Sequence, residues 1–382
     1  MKIALVTIVF PTVSETFIAN KALYLQKLGH EIIVFCSTFN KQLFSAFFKD
    51  ATNITVVTFS KKQFAQYALF HPSLFLSKKK RNIAIHNARA HIINGYKPAV
   101  VHIEFSGLGI LFLPVLNRLH AKKVVSCRGS AEKVKLLISG ERKTNTKALF
   151  DLVDAIHCVS LDMQKTVKPY CTDTSKLFIN FPSVNAKIFN RSAVYTQSTP
   201  VQILSIGRLT FQKGYFTGLQ AIKLLQKKYD FTDFTWTIIG DGPQKEEIVF
   251  HIHQMALENN VVLAGPKSRD EVIAAYTSAS IFFLPSVYEG IANVALEAMS
   301  MELPVVATKS GGMDEVITHN LNGMLADVYD AETLAACLFD LITNGQKSRL
   351  LGIEARKRIL SEFTLEKQAG IFEDYYKKIT GI

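Results

Sequence analysis

The sequence is sparing in the features that mark secreted, metal-stapled or membrane-spanning chains. Its 382 residues hold five cysteines, Cys36, Cys127, Cys158, Cys171 and Cys337, with no C-x-x-C pair among them. Thiols so scattered argue against a zinc knuckle or a disulfide framework and suit a reducing compartment. No apolar run approaches the roughly 20 residues that span a bilayer. The opening run Met1–Phe10 carries one cation, Lys2, and polar Ser14-Glu15-Thr16 follows without a small-residue cleavage site. A buried strand explains it better than a secretory leader. Internal repeats and low-complexity stretches are absent as well. No nucleic-acid reader motif occurs, so nucleic acid is not an expected partner.

What is present is globular: 48% hydrophobic and 20% charged residues, in a length that favours two domains. The net charge of +12 is unevenly shared. Residues 1–190 hold 26 Lys and Arg against 10 Asp and Glu, whereas residues 191–382 hold 18 against 22. A first half at +16 and a second at −4 point to an anionic partner for the first, either membrane headgroups or nucleic acid, or to a basic soluble surface. The expected location is the cytoplasm, with peripheral contact to the inner face of the plasma membrane.

Short β-rich apolar runs alternate with amphipathic stretches. Strands are expected at Ile3–Val9, Glu31–Cys36, Ile54–Phe59, Ala99–Phe105, Lys123–Cys127, Ala155–Ser160 and Leu177–Asn180. The second half offers Val201–Ile206, Thr235–Ile239, Val261–Ala264, Ile281–Pro285 and Pro304–Thr308. Helical patterns between them include Glu15–Leu28, Gly214–Lys227 and Gln244–Glu258. This alternation reads as α/β, with parallel strands covered on both faces. It is interrupted once, by the polar stretch Ala186–Pro200. The predicted organisation is therefore two Rossmann-like doubly wound domains facing a central cleft, 1–190 and 200–360. A C-terminal helix at 361–382 is expected to cross back to the first domain. Ligands in such sheets bind beyond the carboxyl ends of the strands.

Three strand-end loops carry chemistry. Gly207-Arg208-Leu209-Thr210-Phe211-Gln212-Lys213-Gly214 opens a helix with a glycine at each end and two cations inside, which suits phosphate. It is not a Walker A loop. Gly240-Asp241-Gly242-Pro243 is either a ligand loop or a plain turn before a helix. In Pro285 to Ala298, Gly290 permits close backbone approach and the amides of Ile291, Ala292 and Asn293 would face an anion. Glu289 and Glu297 flank that position. The spacing of the two glutamates is weak by itself, since Glu354 and Glu362 repeat it.

In order, Gly207–Gly214, Gly240–Gly242, Gly265, Glu289-Gly290 through Glu297-Ala298, Pro304–Thr308 and Gly311–Glu315 closely resemble the C-terminal half of family 4 glycosyltransferases with the GT-B fold. Phe10–Ile18 and Gly29-His30-Glu31 look like the opening of bacterial exopolysaccharide members. The resemblance implies a retaining, metal-independent hexosyltransferase that uses a nucleotide diphosphate sugar and a glycan or lipid-linked acceptor. No cofactor or metal is expected, and the chain has no D-x-D motif. By similarity, Arg208 and Lys213 would hold the diphosphate with the amides of Gly290 to Asn293. Glu297 would take the ribose and Glu289 the transferred sugar. Gly240, Asp241, Gly242 and Gly265 would lie near the base. Glu289, Arg208 and Lys213 are thus the candidate catalytic residues.

The sequence departs from the family in three places. A Gly-Gly loop after the first strand is replaced by Phe10–Thr16, where Ser14 either caps the next helix or, with Glu15, meets an acceptor. The family's His-Gly pair is here Arg128-Gly129, where Arg128 is an acceptor-side candidate that would touch phosphate or only the linker, and its Asn-Gly turn is Asn180-Phe181-Pro182-Ser183. His102 and Glu104, at a strand end, are further acceptor-side candidates, with a structural role as the alternative. Lys61 to Arg81, apolar and aromatic between cation clusters, reads as a membrane-surface helix or as a helix packed on its own domain. A non-catalytic nucleotide-sugar binder and a sugar-nucleotide epimerase of the same fold are the competing readings.

Overall fold

A computed structural model describes residues 1–12, 15–48, 53–59, 78–191 and 198–382. Ser14 and most of the basic stretch from Lys61 lie outside these residues, as does the middle of the polar stretch Ala186–Pro200. The chain forms two compact units, residues 1–181 with 365–382, and residues 182–364. The division falls between Phe181 and Pro182, ahead of that polar stretch.

In chain order the strands of the first unit are β1 (Lys2–Val6), β2 (Val9–Phe10), β3 (Glu31–Cys36), β4 (Thr38–Phe39), β5 (Ile54–Thr58), β6 (Val100–Ile103), β7 (Lys122–Cys127), β8 (Ala155–Cys158) and β9 (Leu177–Ile179). Seven of them make a sheet in the order β5-β3-β1-β6-β7-β8-β9. β1 pairs in parallel with β3 and β6, Ile3 lying opposite both Ile32 and Val100. Its middle residues are apolar on both faces and wholly buried, as a central parallel strand requires. The run expected as Ile3–Val9 breaks after Val6, and β2 pairs separately with β4.

The second unit holds β10 (Val201–Ile206), β11 (Phe234–Ile239), β12 (Val261–Gly265), β13 (Ile281–Leu284), β14 (Val305–Thr308) and β15 (Met324–Ala326), in the order β12-β11-β10-β13-β14-β15. Trp236 anchors its core, fully buried, with its indole N–H donating to Ser205 Oγ at 2.9 Å. The helix Tyr215–Tyr229 buries Leu219, Ala221, Ile222 and Leu225 on one side, the stripe its period prescribes. β15, only three residues long, was not among the expected strands.

Both sheets reverse strand order at one point, between β1 and β6 and between β10 and β13. The loops beyond those strands are where an open α/β sheet presents a ligand site. In the second unit they are 207–214 and 285–292, two of the segments singled out in the sequence.

Candidate functional site

The two loops of the second unit are fastened to each other. The Val287 amide donates to the Gln212 carbonyl at 2.8 Å. Glu289, 6% exposed, sits under this junction. Its Oε1 accepts from Lys213 Nζ at 2.7 Å and from Ser286 Oγ at 2.9 Å, and its Oε2 accepts from Gln212 Nε2 at 3.1 Å. Ser286 is itself fixed, because Thr308 Oγ1 donates to its carbonyl at 2.5 Å. A buried ion pair repays its desolvation only when further hydrogen bonds satisfy both groups. Here three donors converge on one carboxylate. Arg208, by contrast, is exposed. The pair cancels its own charge, so Arg208 is left to carry the positive field of the loop.

Beyond Glu289 the chain turns into the helix Asn293–Ser300, with Ala292 at its cap and no side-chain capping bond. The first amides of a helix lack intrahelical acceptors and carry its positive end. One of the neighbouring amides, Ala292 N, meets only the Met313 thioether at 3.5 Å. The loop is pressed from behind by 309–312: Gly312 N donates to the Gly290 carbonyl at 2.8 Å. Gly311 has φ +66°, and a Cβ there would lie 2.0 Å from the Glu289 carbonyl oxygen, so only glycine fits. One turn into the helix, Glu297 Oε2 lies 2.9 Å from the Tyr276 hydroxyl, which is also 3.0 Å from the Val294 carbonyl. Burial pushes the Glu297 carboxyl up to about 7, opposed by Tyr276 and Arg269.

The Gly240–Pro243 turn braces the first loop. Leu209 N donates to the Asp241 carbonyl, and Gln244 N to the Leu209 carbonyl, both at 3.0 Å. Gly240, with φ +140°, comes so close to Gly207 that a Cβ would sit 2.0 Å from the Gly207 carbonyl oxygen. Gly265 ends β12 and accepts from Gly240 N at 3.0 Å. The glycines of this turn therefore have a packing reason of their own. The exposed side chain of Asp241 is open to a ligand.

The acceptor-side candidates of the first unit prove to be mostly interior. His102 and Glu104 are both 0% exposed, which favours the structural alternative for this pair. His102 Nδ1 is 2.6 Å from the Tyr376 hydroxyl and Nε2 is 2.7 Å from Ser126 Oγ. Burial, with Lys21 and Arg128 adding to it, holds its pKa well below the usual histidine range. Glu104 receives Lys21 Nζ at 2.6 Å and Arg128 Nη2 at 2.7 Å. Burial alone would raise its pKa, but the two cations outweigh that and lower it. Arg128 also covers the Phe17 ring at 4.2 Å, so it is spent within the unit. A neutral imidazole and a doubly paired carboxylate inside a core are structural groups. Glu15, like Arg128, is part-exposed, its pKa raised by burial against the pull of Arg128. It occupies the cap position of helix Thr16–Lys27 without a side-chain capping bond.

The sequence reading passed over Gln212, Ser286 and Tyr276, the partners that hold the two glutamates. Gln212 and Ser286 lie inside segments already marked, but neutral side chains there carry no signal of their own. Tyr276 comes from a different helix, Arg269–Ser278, and nothing in the sequence connects it to Glu297.

Residues 14–185 match the family described as Glycosyltransferase Family 4, and residues 187–358 match Glycosyl transferases group 1. Over 396 aligned residues the chain is 27% identical to the amylovoran biosynthesis glycosyltransferase AmsK of Erwinia amylovora, covering 95% of this chain and 96% of that protein. It is 33% identical over 166 residues to WcaL of Escherichia coli K12, named for colanic acid biosynthesis, covering 42% and 40% of the two chains. A glycosyltransferase structure from Rickettsia africae superposes with TM-score 0.78 at 19% identity, covering 99% and 98%. Anabaena Alr3699/HepE in complex with UDP-glucose gives 0.77 at 16% identity, covering 99% and 100%. At those identities the structures speak to fold alone, which is that of the GT-B enzymes.

Proposed function

The chain belongs to the family 4 glycosyltransferases, with a group 1 transferase half, and from that premise we propose that it moves a hexosyl group from a nucleoside diphosphate sugar to a glycan or lipid-linked acceptor. The proposal includes retention of anomeric configuration and no need for a divalent metal. The proposed setting is synthesis of a bacterial surface polysaccharide, the process for which the aligned Erwinia and Escherichia proteins are named. The observation that carries it is the joined pair of loops at the β10/β13 reversal: an exposed Arg208, a paired Lys213 and Glu289, and a helix start in one place.

Transfer breaks the bond between the sugar's anomeric carbon and the diphosphate oxygen and forms one from that carbon to an acceptor hydroxyl oxygen, whose proton is released, and negative charge grows on the departing diphosphate. Arg208, Lys213 and the amides at Gly290–Asn293 are the groups assigned to that charge, in a site fixed before the reaction starts. Glu289 fixes the direction of Lys213 and offers a carboxylate edge to sugar hydroxyls. Glu297 takes the ribose hydroxyls, and Asp241 with the stretch after Gly265 lies toward the base. Glu15 is the group assigned to the acceptor in the first unit. Among the described residues no helix is long and apolar enough to cross a membrane, and the proposed place of action is the cytoplasmic face of the membrane.

Titration of the purified chain with a panel of nucleoside diphosphate sugars in EDTA tests this reading. One donor is expected to bind. Arg208→Ala, which removes an exposed side chain, should weaken it by about 1.5–3 kcal/mol, roughly 10- to 150-fold. Lys213→Ala and Glu297→Ala should weaken it as well. Binding that is indifferent to all three substitutions would sink the site assignment.

A further inference from the structure

A second concavity lies at the carboxyl edge of the same sheet, with a volume of about 300 Å³. Its wall includes Phe211, 60% exposed, Phe216, 44% exposed, and Tyr329, 60% exposed. Three large rings left open to solvent around one hollow are unusual for a soluble surface. Phe216 is backed by His251 at 4.5 Å between ring centroids, which fixes its plane. Tyr329 is held at φ +70°, a conformation that bulky side chains rarely adopt, and its hydroxyl has no partner among the described residues. Strain of that kind persists where the surroundings impose it, and it is a reason to look for a ligand.

The polar part of the wall includes amides, a carboxylate and the His251 imidazole. Gln220 is exposed, and Gln244 Nε2 donates to Glu247 Oε2 at 2.8 Å, which presents an amide and a carboxylate side by side. No lysine or arginine lines the hollow. Planar amides, a carboxylate and open aromatic faces together suit a pyranose. Its C–H face carries partial positive charge that an aromatic face attracts, and its hydroxyl edge exchanges hydrogen bonds with amides and carboxylates. We propose that this hollow is a saccharide-binding subsite, separate from the donor position, in which Phe216 and Tyr329 hold a neutral sugar ring and Gln220, Gln244 and Glu247 take its hydroxyls.

Phe211 and Val287 tie the subsite to the two donor loops, since Val287 N bonds the Gln212 carbonyl next to Phe211. A sugar seated there rests on the same loops that carry Lys213 and Glu289. The subsite is argued from its own lining and does not rest on the donor reading.

Saturation-transfer NMR on the full chain with maltose, cellobiose and lactose tests the subsite, with uridine as the control ligand. At least one disaccharide should receive saturation on its ring protons, and excess uridine should leave that signal in place. Phe216→Leu, which keeps apolar bulk but removes the ring, should weaken binding about tenfold, and Tyr329→Ala similarly. The melting temperature of each variant and its binding of UDP report whether the fold and the donor loops are intact. Should Tyr329→Ala fail to fold, Gln220→Ala on the exposed helix face takes its place with the same expected loss. Absence of transfer to every disaccharide, displacement by uridine, or full binding retained in folded variants would overturn the assignment. Loss of UDP binding in Arg208→Ala with disaccharide binding intact would separate this subsite from the donor position.

Discussion

Glu297 stands near the middle of its titration at neutral pH, because burial pushes its carboxyl from the ordinary 4.5 up to about 7. A carboxyl whose folded value is raised lends stability that is complete below the unfolded value and is lost as pH rises through the folded one. Glu297→Gln keeps an acceptor for Tyr276 and removes the titration. Its melting temperature should therefore gain on that of the parent chain as pH rises from about 5 to about 8. Parallel profiles would contradict the burial of this group. A ribose hydroxyl donates best to the ionised form, so donor affinity should rise over the same interval. The positions of site candidates were legible in the sequence where a charged or glycine residue stood at a strand end, as with Arg208, Lys213 and Glu289. They were illegible where the deciding contact is long-range. Tyr276 reaches Glu297 from another helix, and His102 is placed by Tyr376, 274 residues away.

The helix Leu365–Thr380 shows what an element contributes. It buries Leu365, Ala369, Phe372 and Tyr376 with the first unit's core, and Tyr376 gives His102 its hydroxyl contact. Phe372 meets both His102 and His157 edge-on, at 5.5 Å and 4.9 Å between ring centroids. Tyr376→Phe should cost about 1 kcal/mol, since it removes the hydroxyl 2.6 Å from His102 Nδ1 while Lys21 Nζ stays 3.2 Å from the same nitrogen. Phe372→Ala should cost about 3–5 kcal/mol. Urea unfolding measures both, and a cost near zero in both would mean the helix is not docked on this core. Most strands announced themselves through β-branched runs apolar on both faces, and their edges moved by a residue or two. β15 escaped notice because three residues show no period, and the break after Val6 because Thr7 and Ile8 continue an apolar-looking run.

Along the whole chain the charge is uneven, with residues 1–190 at +16 and 191–382 at −4, a change that falls close to the division between Phe181 and Pro182. If the basic half serves a membrane surface, the protein should sediment with vesicles rich in phosphatidylglycerol and be released by salt, at about 1 kcal/mol per well-placed cation. Equal recovery with neutral phosphatidylcholine vesicles would make the charge a matter of solubility only. The central claim concerns transfer itself. Its most direct measurement follows labelled nucleoside diphosphate sugars in EDTA, with and without lipid-linked glycan acceptors, for the parent chain and Arg208→Ala. The account predicts that one donor is consumed only when an acceptor is present, yields a glycosylated acceptor, and is spared by Arg208→Ala. Donor consumed equally without acceptor, or turnover unaffected by Arg208→Ala, would contradict it.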